Sequence, residues 1–129
     1  MNSAEEVQDF ERLEQQVHSM LTEVSELSKK KPNDGLNKFK LKLVNVLLER
    51  MNKVLGSQKP FTDFETFDED DLPTNSDVVV VLSQYAAAIF QFRVENTNSD
   101  SIGRWYWRLS GNQDSLPTRR PDEFKVGSK

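Results

Sequence analysis

Between Ala4 and Lys30 the chain carries neither glycine nor proline, and its apolar residues recur with a helical period. Phe10, Val17 and Val24 are seven apart, and Leu13, Met20 and Leu27 follow each by three. Val7 and Leu21 widen the stripe, and Ser3-x-x-Glu6 fits a capping box at its start. The pattern predicts a helix over 4–30, about 40 Å long at the usual rise. A rod of that length must cover an apolar stripe along its whole side, so its partners must be long as well. The same stripe suits a bundle helix or a coiled coil, and it predicts a homodimer through residues 4–28 as one way of covering it.

Lys29-Lys30-Lys31-Pro32-Asn33-Asp34-Gly35 reads as a stop and a turn, with lysines favoured by the helix dipole and a proline that cannot continue the helix. A second helix is predicted over 36–55. Its apolar stripe is Leu36, Phe39, Leu43, Val44, Leu47, Leu48, Met51, Val54 and Leu55. Lys38, Lys42, Asn45, Glu49 and Asn52 lie opposite, and Gly56 stands at the C-cap. Two long helices joined by a short turn form an antiparallel hairpin.

Residues 57–75 form a long connector in which Phe61, Phe64 and Phe67 recur every third residue among acids. They are expected to line a short helical turn that packs on the bundle, since so long a connection usually packs or functions. Thr74-Asn75-Ser76-Asp77 follows Pro73 and carries an N-cap threonine and an acid at N3. The segment 78–96 is then read as a helix on Val78, Val81, Leu82, Tyr85, Ala88, Ile89 and Phe92, with Ala86-Ala87-Ala88 favouring helix. The strand reading rests on the β-branched run Val78–Val81 and the alternation of Phe90, Phe92 and Val94. Residues 96–103 read as a loop. Arg104-Trp105-Tyr106-Trp107-Arg108-Leu109 is the best strand, with Trp105, Trp107 and Leu109 on one face. Ser110-Gly111-Asn112-Gln113 is turn chemistry, and residues 114–118 return as an edge strand.

These elements make residues 1–118 a single mainly α domain: a helical hairpin, a third core helix and a small C-terminal β-hairpin. Residues 119–129 are a polar tail. The alternative is an α+β fold, with two helices packed on an antiparallel sheet built from about 78–116.

Charge is arranged in blocks. Residues 1–28 net −6, 29–59 net +7, 60–77 net −7 and 78–129 net +2, which leaves a total of −4. An acidic first helix against a basic second one is helped electrostatically, though exposed pairs contribute only about 0–1 kcal/mol each.

Chemistry is scarce. The absence of cysteine excludes a disulfide framework, a thiolate nucleophile and a cysteine zinc site. His18 is the single histidine, so no His-rich metal site and no triad without His18 is open to the chain. No phosphate-binding glycine pattern and no serine-nucleophile motif is present. Asp68-Glu69-Asp70-Asp71 fails the calcium-loop template, because Leu72 and Pro73 fall where ligands or turn residues are needed. No enzyme, metal or cofactor is therefore expected.

The N-terminus is acidic where a secretion signal would be basic, and the apolar run Val78–Phe92 is shorter than the roughly 20 residues of a membrane span. A cytoplasmic location without a membrane span is expected. The reading is a protein–protein interaction module, an adaptor or assembly factor. Its candidate partner-binding residues are Arg104, Trp105, Tyr106, Trp107 and Arg108, because Trp, Tyr and Arg are enriched at interface hot spots. Phe61, Phe64, Phe67, Asp68, Asp70 and Asp71 form a second candidate, as acid-flanked aromatics at helical spacing. Two alternatives stand beside it: a single-stranded nucleic-acid-binding protein using the Arg/Trp strand, and an accessory subunit of an enzyme complex.

Overall fold

The computed structural model describes residues 1–110 and 116–122 of the chain. Three helices, α1 (Ala4–Lys30), α2 (Lys38–Leu55) and α3 (Asn75–Asn96), carry most of the core. Three short strands follow: β1 (Thr97–Ser99), β2 (Trp105–Trp107) and β3 (Leu116–Thr118). The fold is the mainly α one expected from the periodicity, and 78–96 is helix.

Each helix starts on a side chain that satisfies an orphan amide. Ser3 Oγ accepts from Glu6 N–H at 3.2 Å, Asn37 Oδ1 from Lys40 N–H at 3.1 Å, and Thr74 Oγ1 from Asp77 N–H at 3.1 Å. Asn37 explains why α2 begins at Lys38 and not at 36. Leu36 is still buried, but its N–H bonds to the Pro73 carbonyl at 2.9 Å instead of entering the helix. Gly35 bridges to Thr74 there, and a Cβ at Gly35 would stand 3.4 Å from the Leu72 Cβ. At its other end α2 closes on Gly56, whose φ of 55° is strained for any residue with a Cβ, and a single 3-10 turn follows.

The direction of the helices follows from their cross-links. Lys40 reaches Glu23 and Arg50 reaches Gln16, so α2 runs antiparallel to α1. Ser76 N–H bonds to the Pro32 carbonyl while Arg93 reaches Glu14, so α3 also runs antiparallel to α1. Val7, Phe10, Val17, Leu21 and Val24 of α1 meet Leu41, Val44, Leu48 and Met51 of α2 and Val78, Leu82, Tyr85 and Ile89 of α3 in one core. Of the heptad stripe of α1, Phe10, Leu13, Val17 and Val24 are buried within one chain, while Met20 and Leu27 are partly buried.

Two expectations are corrected by the sheet. It has three strands in the order β1-β2-β3, all antiparallel, where a two-stranded hairpin was expected. Thr97–Ser99, read as loop, pairs with β2 in the register Thr97↔Trp107 and Ser99↔Trp105. A three-residue strand is too short to show alternation; its partner selects it. The expected turn at 111–113 and the tail residues 123–129 lie outside the described residues.

The 22 residues of α3 are long and apolar enough, by length and composition, to cross a membrane, more than the run counted from sequence suggested. Val78, Leu82, Tyr85, Ala86 and Ile89 are buried in the core, as a central bundle helix requires.

Beyond that 3-10 turn the connector between α2 and α3 forms no helix, so Phe61, Phe64 and Phe67 do not line a helical turn. It is a strap pinned to α2. Asn45 Nδ2 donates to the Phe67 carbonyl and Asn45 Oδ1 accepts from Phe67 N–H, both at 2.9 Å. Asn52 Nδ2 donates to the Glu65 carbonyl, while Asn52 Oδ1 accepts the Tyr85 hydroxyl at 2.5 Å. Two side-chain amides on the polar side of α2 thereby replace the partners a helix would have supplied. The acidic strap also meets basic residues of the preceding block through Lys59–Glu65 at 2.9 Å and Lys38–Asp70 at 3.9 Å, so part of the block charge is neutralised inside the fold.

Candidate functional site

The sequence-derived Arg/Trp segment does not form one surface. Trp107 is completely buried, T-stacked on Phe10 with centroids 5.3 Å apart. Trp105 is half-buried on the same face of β2, and Tyr106 alternates to the opposite face. Arg104 and Arg108 are exposed, and Arg104 pairs with Asp100 at 2.8 Å. Asp100 organises the β1–β2 turn. The Arg104 backbone N–H outweighs partial burial, and with the Arg104 side chain, the Ile102 N–H and the Tyr106 hydroxyl it lowers the carboxyl to about 2. A folded value below the unfolded one means that this contribution is complete above the ordinary carboxylate range and is lost as pH falls toward 2. Nuclear magnetic resonance titration of Asp100 should give a midpoint near 2; a midpoint near the model-compound 3.8 would reject the capped turn.

The phenylalanine set does come together. Phe61, Phe64 and Phe67 form a ladder with centroids 5.8 and 5.0 Å apart, and Phe61 leans on Tyr85 at 6.1 Å. All three are half-buried against the core, which turns them inward. Asp68, Asp70 and Asp71 stay exposed, and Asp70 N–H closes a turn on Asp68 Oδ1. Among the described residues no group of three His, Asp or Glu side chains is placed to hold a metal ion.

A buried polar junction, unforeseen from sequence, lies where α1, α3 and the sheet meet. Arg93 is 1% exposed and forks onto Glu14, itself 3% exposed, through Nε at 2.8 Å and NH2 at 2.6 Å. Its NH1 donates to Thr118 Oγ1 at 2.7 Å and its guanidinium lies 4.8 Å from the Trp107 ring centre. Glu11 Oε2 accepts from Trp107 Nε1 at 3.0 Å and from Thr118 Oγ1 at 2.7 Å. Burial works to raise the Glu11 pKa, but the Trp107 and Thr118 hydrogen bonds and the Arg93 charge outweigh it and hold the carboxyl below its usual value. Burial also opposes the charge on Arg93, yet Glu14 and Glu11 keep its pKa above the ordinary arginine value. Arg119, placed in the tail by sequence, adds a 3.4 Å contact to Glu14. Two carboxylates face two guanidiniums here, and each group is occupied by another. The junction is built to fasten the sheet to the helices.

The open feature is on the other side. The second half of the predicted α2 stripe is buried as expected, but Phe39 is 68% exposed and Leu43 41%. With Val46, 40% exposed, they form a row at i, i+4, i+7 along the seam between α1 and α2. The row overlooks a groove of about 540 Å³ lined by Met20 and Leu47 below and by Ser19, Glu23, Lys40 and Arg50 at its rim. A second stretch of about 610 Å³ continues toward Met1 over Phe10, Leu13, Val54 and Phe92. The two share Gln16 and Arg50, whose side chains are bonded across the seam at 3.1 Å. Placing Phe39 and Leu43 in the core was an error of width: the stripe on α2 is broader than the surface that α1 and α3 offer it.

None of the protein-family models, curated proteins or solved structures compared with this chain matches it.

Proposed function

We propose that this chain is a non-enzymatic protein-interaction module, an adaptor or assembly factor, that docks a partner in the α1/α2 groove. The observation that carries the reading is the row Phe39, Leu43 and Val46, three apolar side chains standing in water over a groove. Contiguous exposed apolar surface of this kind marks interaction sites. A groove between two antiparallel helices suits a third helix laid along it. The charged side chains of the buried junction are matched to one another, so the reading assigns no catalysis to them. This reading prefers the seam to the Arg/Trp strand, whose Trp107 is buried, and to the phenylalanine ladder, which is half-buried against the core.

Phe39→Ser with Leu43→Ser should leave the fold intact at a cost of about 1–2 kcal/mol, because Phe39 is largely exposed and Leu43 partly so. The same double variant should lose the complexes that the native chain forms in its source cells, read by cross-linking and mass spectrometry. An Arg104→Ser, Arg108→Ser variant should keep them. A seam variant that retains every complex would reject this docking surface.

A further inference from the structure

We infer that the occupant of the groove is an amphipathic helix about four turns long with acidic residues flanking its apolar stripe; this rests on the docking function proposed above. Length comes from the groove. The two stretches together follow α2 from Phe39 to Val54, sixteen residues, or about 22 Å of helix axis. Spacing comes from the row itself, since i, i+4, i+7 anchors on one helix are met by the same spacing on another.

Charge comes from the α2 side, which carries Lys38, Lys40, Lys42, Arg50 and Lys53 against Glu49 alone. The α1 side lines the groove with Glu6, Asp9 and Glu23 against Arg12, and there Asp9 is held by Arg12 and Glu23 by Lys40. Lys40 is already held by Glu23 at 2.7 Å and Arg50 by the Gln16 amide. Among the described residues Lys42 and Lys53 have no acidic partner, and both are exposed beside the row. A two-fold dimer that lays α2 on α2 would set these bases against one another. An acidic helix neutralises them and adds its apolar stripe to Phe39, Leu43 and Val46.

The test is a selection against the full chain. The library presents helices with leucines at i, i+4 and i+7 and flanking positions randomised among Asp, Glu, Lys, Arg, Gln and Ser. Binders should be enriched in Asp and Glu at the flanks and should weaken as salt rises from about 50 to about 300 mM. They should also lose at least about tenfold in affinity on Lys42→Glu with Lys53→Glu. Binders that depend on Phe39 but carry neutral or basic flanks would overturn the acidic occupant and leave the docking site standing. The absence of any binder sensitive to Phe39→Ser with Leu43→Ser would overturn both. Phe39-dependent binding to phosphatidylserine vesicles, or a Phe39-dependent dimer in sedimentation, would overturn the inference by giving the face to a membrane or to a second copy.

Discussion

Arg93→Ala is expected to destabilise the fold by about 3–5 kcal/mol, because it leaves the Glu14 carboxylate, 3% exposed, facing the core with only the longer Arg119 contact. Losing one partner of a buried pair strands the other charge, and that cost exceeds what the pair itself contributes. Arg93→Lys should recover little, since a single ammonium cannot reproduce the two-pronged contact with Glu14 and the reach to Thr118. The double variant Arg93→Met, Glu14→Leu should be far less damaging than the sum of its parts, because no fully buried charge is left unpaired; Glu11 and Arg119, which lose their charged partners, are 37% and 50% exposed. Urea denaturation of the native chain, Arg93→Ala, Arg93→Lys, the double variant and its two single variants, Arg93→Met and Glu14→Leu, measures this directly. If Arg93→Ala shifts the midpoint no more than an exposed substitution does, the junction is not a fastening. If the double variant is as damaged as the sum of the singles, the loss comes from packing and not from the stranded charge.

Trp107→Ala is expected to cost about 3–5 kcal/mol, the range for a large buried aromatic, while Trp105→Ala should cost well under half of that. Trp107 is the point at which the sheet enters the core. Its ring packs against Phe10, which in turn stacks on Phe92 at 5.0 Å, and its indole N–H satisfies Glu11. Removing it opens a cavity and takes one donor from a partly buried carboxylate. Equilibrium unfolding of the two variants separates them, with near-ultraviolet circular dichroism reporting the loss of the ordered tryptophan. Equal, small effects would mean that both rings sit on the surface, as an interface strand would require. The sequence alone left that choice open, since a Trp/Arg alternation serves a hot spot and a core edge equally well.

The helices were legible because their causes are local. Caps at Ser3 and Thr74, the proline and lysines after α1, and Gly56 after α2 act within a few residues of the bonds they satisfy. The Asn37 cap is equally local, and it sets the start of α2 at Lys38, two residues beyond the start that the apolar stripe predicts. The junction has a trace in the sequence. Glu14 falls in register with Val7, Phe10, Val17, Leu21 and Val24, and Arg93 with Val78, Leu82, Tyr85 and Ile89. One charge of each sign sits on the buried stripe of two helices that pack together. The groove left no such trace, because Phe39 and Leu43 belong to the stripe by period and are exposed because no element among the described residues covers them.

The amino-acid order by itself determined where helices start, run and stop and which face of each is apolar, because hydrogen bonds and caps within a helix link residues only three or four apart. The tertiary structure decided which of those apolar and charged residues are inside. Burial depends on neighbours from remote parts of the chain: Arg93 lies 79 residues from Glu14, and Trp107 lies 96 from Glu11. A stripe wider than its partners leaves its margin in water, and on α2 that margin is the row at the seam.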